Sequence, residues 1–208
     1  MGKQKSPQQL LGLLGILSLL SYAAAVVFAP LAYPGYQWMA QAVSDLSADA
    51  APSRGLWNQL SALYLPCGIV CCTLAAVEVQ GKGNRPMRLG VRLFSVMLWI
   101  SAVGYAMFPL ADPGAPADLQ GYMHLAVTGA VVALSVVSLG LILSGGLVKR
   151  ACPFLGWSAL AALILMLLGA AGTGILPAAL FGIAERFSVF AASLFNAALG
   201  IALFRGFR

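Results

Sequence analysis

Charge is what this sequence has least of. Only 9% of its 208 residues are charged, twelve of them basic and six acidic, beside a single histidine. A soluble domain carries roughly 25% charged residues, so a chain this poor in charge cannot keep an aqueous surface. Its basic residues form no stripe among aromatics, which argues against a nucleic-acid partner; they lie between apolar runs, as membrane topology places them. Nitrogen and sulfur ligands are scarce too. A zinc site needs about three of them, and His124 with Cys67, Cys71, Cys72 and Cys152 does not supply a convincing set. Asp45, Asp112 and Asp118 carry no calcium-loop signature. Phosphate loops, dinucleotide fingerprints and haem-attachment motifs are missing. No metal and no cofactor are expected. The cysteines fall inside or beside apolar segments, so a disulfide framework is not indicated.

What the chain has is apolar length. Hydrophobic residues make up 61% of it, and a membrane-crossing helix needs about 20 of them in a row. Six stretches qualify, near 9–31, 57–79, 89–109, 121–144, 154–176 and 184–205. Each is predicted to be a helix, because backbone in lipid must satisfy its own hydrogen bonds. The expected fold is an all-α, six-helix transmembrane bundle forming one domain over 1–208. Two rival readings attach to the amino terminus. Lys3, Lys5, the run Leu10 to Leu20 and Ala23-Ala24-Ala25 resemble a signal peptide. Met1-Gly2-Lys3-Gln4-Lys5-Ser6 fits the loose myristoylation pattern.

The hydrophilic segments alternate in charge. Lys3, Lys5, Lys82, Arg85, Arg88, Arg92, Lys149, Arg150, Arg205 and Arg208 share one side, ten of the twelve basic residues; Arg54 and Arg186 are on the other. The positive-inside rule puts the first side, with both termini, in the cytoplasm of a plasma-membrane protein. Five of the six acidic residues, Asp45, Asp49, Asp112, Asp118 and Glu185, fall outside together with His124. In the first outer loop, about 32–56, Tyr36, Met39, Val43 and Leu46 recur at helical spacing, which predicts a short amphipathic helix on the outer interface.

Polar residues line one face of several spans. The fourth carries His124, Thr128, Ser135 and Ser138; the sixth carries Glu185, Ser188, Ala192, Asn196 and Gly200. The second carries Asn58, Ser61, Gly68, Cys72 and Ala75, and the third Ser101, Tyr105 and Asp112. Such stripes mark helix–helix contacts; if they converge, the ionisable residues crown one shared interior. Glu185 and Arg186 point about 100° apart on a helix, so each needs its own partner. Asp45, Asp112 and Asp118 are candidates for Arg186. For Glu185 they are His124, Arg54 and backbone amides.

The ordered set Ser44-Asp45-Leu46, Asn58, Phe108-Pro109 with Asp112, His124, and Gly182 with Glu185-Arg186 resembles the bacterial and archaeal membrane proteins grouped as domain of unknown function 998. The resemblance runs through most of the chain, with a looser spacing from Phe108-Pro109 to Asp112. It implies the six-span fold and brings no established activity. Three functions stay open. One is a non-catalytic membrane partner or sensor. Another is an outer-leaflet enzyme on a lipid or amphipathic substrate, with His124, Glu185 and Asp45 as catalytic residues and Arg186 and Asp112 binding an anion or partner. The third is a small-solute or proton-coupled transporter. Membrane lipid, and a lipid-like ligand entering from the outer leaflet, are the expected partners.

Overall fold

In the computed structural model, residues 5–112 and 118–207 are described. Lys3, Arg208 and the start of the myristoylation-like pattern lie outside them, as does the loop 113–117. Six helical stretches are long and apolar enough to cross a membrane: Pro7–Ala32, Arg54–Gly81, Arg85–Met107, Leu119–Val148, Pro153–Ile175 and Ala178–Arg205. The expected six-span, all-α bundle is what forms. The spans are longer than expected at some ends, most of all the sixth, which begins at Ala178 rather than near 184.

Helix ends follow local chemistry. Pro7, Pro86 and Pro153 sit in the first turns of the three odd-numbered spans, where their missing N–H costs nothing. Asn84 caps the third span by accepting from Met87 N–H, and Asp118 caps the fourth by accepting from Gly121 N–H. The last span stops at Gly206, whose φ of 75° lies in the left-handed region that glycine enters without penalty.

The second span is broken. Helix Arg54–Leu60 gives way to a turn before helix Tyr64–Glu78. Pro66 has no N–H for the carbonyl of Ala62. The first span repairs the gap. Ser21 Oγ donates to Leu60 O at 2.5 Å and accepts from Leu63 N–H at 3.3 Å, while Ser18 Oγ donates to Tyr64 O at 2.6 Å. Irregular backbone at membrane depth is tolerated where neighbouring hydroxyls satisfy it in this way.

The spans pack in chain order around a ring. Each touches the next, the sixth returns onto the first, and the second also reaches the sixth. The third and fourth spans form one close pair, the fifth and sixth another. The main core lies toward the basic ends of the helices, around Met87, Val91, Phe94, Leu139, Ile142, Leu155, Phe195, Leu199 and Leu203. Toward the acidic ends a second, smaller cluster of Tyr22, Val26 and Val43 packs against Trp57, Tyr64 and Phe190. The polar stripes point inward along much of their length: Ser135, Ser138 and Asn196 are buried, as are Gly68, Cys72, Ala75 and Ser101. Asn58 departs from this and is exposed. All four cysteines are buried.

The segment 36–46 is not the expected amphipathic α-helix. It folds as turns followed by a 3-10 turn at Ser44–Leu46. The reason is competition for its backbone groups, several of which are taken by side chains of the sixth span.

Candidate functional site

The acidic face is organised by the start of the sixth span. Pro177 holds Leu176 extended. A 3-10 turn at Ala178–Leu180 then leads into a helix from Phe181. The first N–H groups of any helix lack partners within it. Here the N–H of Ile183 donates to Met39 O at 3.2 Å, so the loop between the first two spans lies over this helix end.

Arg186 and Glu185 complete the attachment from two sides. Arg186 Nη1 donates to Trp38 O at 2.6 Å, Gly182 O at 2.8 Å and Gln41 O at 3.2 Å. Its Nη2 donates to the Tyr36 hydroxyl at 2.8 Å, and that hydroxyl donates onward to Ala42 O at 2.8 Å. The guanidinium carbon also lies about 6 Å from the rings of Tyr36 and Trp38, within cation–π range. Glu185 Oε2 accepts from Val43 N–H at 2.6 Å. Charge-assisted bonds of this kind are roughly twice as strong as neutral ones. Together they gather the backbone of Trp38, Gln41 and Val43 into a cap on the sixth helix.

Gly182 is required beneath that cap. A Cβ there would collide with Gln41 O and would stand 2.6 Å from Trp38 O. Asp45 is 5% exposed and its Oδ2 accepts from Ala42 N–H at 3.2 Å, which tightens the turn one residue before the one Glu185 holds. Ser53, fully buried, donates through Oγ to Leu46 O at 2.8 Å and ties the end of the Ser44-Asp45-Leu46 turn to the second span. Burial pushes the Tyr36 phenol above its ordinary value, against the opposing pull of Arg186. It therefore stays protonated at neutral pH, in the state that can donate to Ala42 O.

His124 belongs to a different group. Its Nδ1 lies 2.9 Å from Phe108 O, where it donates to a carbonyl freed by the end of the third span. Its ring stacks at 4.8 Å on Tyr105, whose hydroxyl bonds Thr128 Oγ1 at 3.0 Å. Asp112 is exposed. The carbonyls just before it, Leu110 O and Ala111 O, accept from Asp49 and Ala50 N–H at 2.8 and 3.0 Å, so the two loops of this face are joined through backbone. Asp49 pairs with Arg54 at 2.9 Å on the surface.

Of the five residues singled out in the sequence, Asp45, Glu185 and Arg186 are brought together; Asp45 and Arg186 both act electrostatically on Glu185. The hydrogen bonds of His124 run elsewhere. For Glu185 the expected backbone amide is the partner found. For Arg186 the hydrogen bonds go to carbonyls and a phenol rather than to the carboxylates expected. Tyr36 and Trp38 were not anticipated as site residues. Tyr36 stood in the loop's apolar stripe, and the only signal was an aromatic pair in a loop opposite an unpartnered arginine.

Below the cap, Trp38, Leu165, Ile183, Arg186, Phe187, Phe190 and Leu194 line an apolar groove of about 350 Å³. From Ile183 to Leu194 a helix rises about 16 Å, close to half the roughly 30 Å hydrocarbon core. The groove therefore has the length of one leaflet, with Arg186 and Trp38 at its polar end.

No curated protein and no solved structure matches the chain. The model of one family, described as protein of unknown function (DUF998), matches residues 16–202. That match takes in the broken second span, the cap with its Glu185-Arg186 anchor, and the His124 group, and so the chain belongs to the DUF998 family of proteins of unknown function.

Proposed function

We propose that the protein is a non-catalytic membrane partner or sensor. On this reading it sits in the plasma membrane with both termini in the cytoplasm, and its cap reads a lipid-like or amphipathic ligand from the outer leaflet. One observation carries the proposal: Arg186 is both the clamp on the cap and part of the groove wall. A chain entering the groove would press on the Arg186 stem and on Trp38, and the bonds that hold residues 38–43 would feel it. Occupancy and cap position are thus mechanically tied, which is what a sensor needs.

The basic residues favour this orientation by the positive-inside rule. An enzyme reading asks His124 to meet Glu185 or Asp45 around a reacting group; their hydrogen bonds to Phe108 O, Val43 N–H and Ala42 N–H favour a structural role instead. A carrier asks for ionisable groups along a path at mid-depth, whereas these stand at one end.

Backbone hydrogen exchange over 36–46 in phosphatidylcholine liposomes tests the proposal. Adding a single-chain lysophospholipid is expected to change protection of those amides, and Leu194→Trp, which fills the groove, is expected to blunt the response. Protection unmoved by the lipid would refute the sensor reading. Turnover of the lipid that depends on His124 would replace it with the enzyme.

A further inference from the structure

The basic face carries a second built feature, unrelated to the cap. The turn 82–84, with Lys82, leads into the third span, whose first residue is Arg85. The turn 149–152, with Lys149 and Arg150, joins the fourth span to the fifth. One carbonyl staples them. Gly145 O accepts from Asn84 Nδ2 at 2.9 Å and from Ala151 N–H at 3.2 Å. A side chain at Gly145 would drive into Met87 N at 2.6 Å and Asn84 Oδ1 at 2.7 Å, so the close approach demands glycine.

Two further features mark this corner as specifically shaped. The fourth span ends in a π-helical turn, Ser144–Val148, a form that is rare and recurs at functional positions. Arg150 then adopts a φ of 50°, left-handed backbone that is sterically unfavourable for a residue with a side chain. Glycine would fit that conformation more cheaply, yet the position holds an exposed arginine.

The charges here are unevenly spent. Lys82 pairs with Glu78 at 2.9 Å, and Arg88 donates to Gln80 O at 3.3 Å. Arg85, Lys149 and Arg150 are exposed, and Glu78 is the one acidic residue of this face. Apolar side chains flank them: Val148 is 78% and Leu89 45% exposed. Cations bordered by lipid-facing apolar residues stand at the level of headgroups.

We propose that this stapled pair of turns is a binding site for an anionic glycerophospholipid, whose headgroup phosphate is held by Arg85, Lys149 and Arg150. Charge complementarity selects the phosphate, and the exposed Val148 and Leu89 select a lipid over a soluble anion.

The test uses the full chain in nanodiscs of phosphatidylcholine with one-fifth phosphatidylglycerol, read by native mass spectrometry as the ratio of the two lipids retained. The wild type is expected to retain phosphatidylglycerol preferentially. Replacing Arg85, Lys149 and Arg150 together by Gln is expected to cut that preference at least about 10-fold, since each basic residue near the surface adds to the attraction for anionic lipid, less what salt screens. Replacing Lys3, Lys5 and Arg208 by Gln removes the same charge from the two ends of the chain and is expected to change it less than about 2-fold. Arg150→Gly guards against misfolding: it relieves the strained φ, so its unfolding temperature is expected to hold or rise while the preference falls. Equal losses in both triple variants, an unchanged preference in Arg150→Gly, or no preference in the wild type would each overturn the site. Displacement of the lipid by millimolar glycerol 1-phosphate would overturn its assignment to lipid.

Discussion

The two ends of this bundle are held by different physics. Toward the basic face, Phe94, Phe195, Leu139, Ile142, Leu155 and Leu199 interlock with almost no exposed area, and the rings of Phe94 and Phe195 meet edge to face at 4.8 Å. In lipid such contacts act through packing and dispersion rather than through escape from water. Toward the acidic face the apolar cluster is small, and the loop above it is held by charged side chains that bind backbone. The first end loses stability when shape is lost, the second when a donor or acceptor is lost. A packed interior resists movement, whereas a hydrogen-bonded cap over a groove can open locally while the bundle stays intact.

The largest effect is expected at Phe94, in the packed end of the bundle. Phe94→Ala removes a fully buried ring and is expected to destabilise the whole bundle by about 3–5 kcal/mol, read as a lower unfolding midpoint in detergent with every probe moving together. Arg186→Ala is next, with about 3 kcal/mol expected from the loss of several charge-assisted bonds. Here the effect is local: proteolysis within 36–46 accelerates while the global midpoint moves far less. Gly182→Ala sharpens the contrast, because it removes no bond. Its added methyl pushes Trp38 O and Gln41 O away at a cost of about 2 kcal/mol, and it is expected to mimic Arg186→Ala in the loop alone.

Tyr36→Phe has the smallest effect, about 1 kcal/mol from the bonds to Arg186 and Ala42 O. The pH dependence has a definite sign. Burial raises the phenol's pKa above its ordinary 10.0, so the bond's contribution is fully present below about pH 10 and is lost as pH climbs through the raised value. Loop protection is expected to be flat from pH 6 to 9 and to fall above 10 in the wild type. Tyr36→Phe should show no such fall.

Much of this architecture was legible in the sequence, for reasons visible in particular residues. Leu10 to Phe28 could only be a helix in lipid, and the six apolar runs gave six spans, because backbone in hydrocarbon has few alternatives. The break in the second span was not read, although Pro66 signals it; what could not be read was that Ser18 and Ser21 would repair it from another helix. The loop 36–46 misled through its periodicity. Tyr36, Met39, Val43 and Leu46 fit a helical stripe, but helix formation spends each backbone group within the segment, and Arg186 and Glu185 claim Trp38 O, Gln41 O and Val43 N–H from 140 or more residues away. Glu185-Arg186 was recognisable as a pair needing outside partners. Its partners were opaque because backbone groups carry no sequence signature. The separate placement of His124 follows from the carbonyl of Phe108, freed where the third span ends.

Residue-resolved hydrogen exchange on the wild type and Arg186→Ala, both in lipid nanodiscs, tests the central claim that the cap is fastened by the sixth span. The Val43 amide, with its neighbours from Gln41 to Leu46, is expected to exchange about 100-fold faster in the variant, while the amides of Phe94, Leu139 and Leu199 keep their protection. Equal acceleration at both ends, or a Val43 amide unaffected by the loss of Arg186, would contradict it.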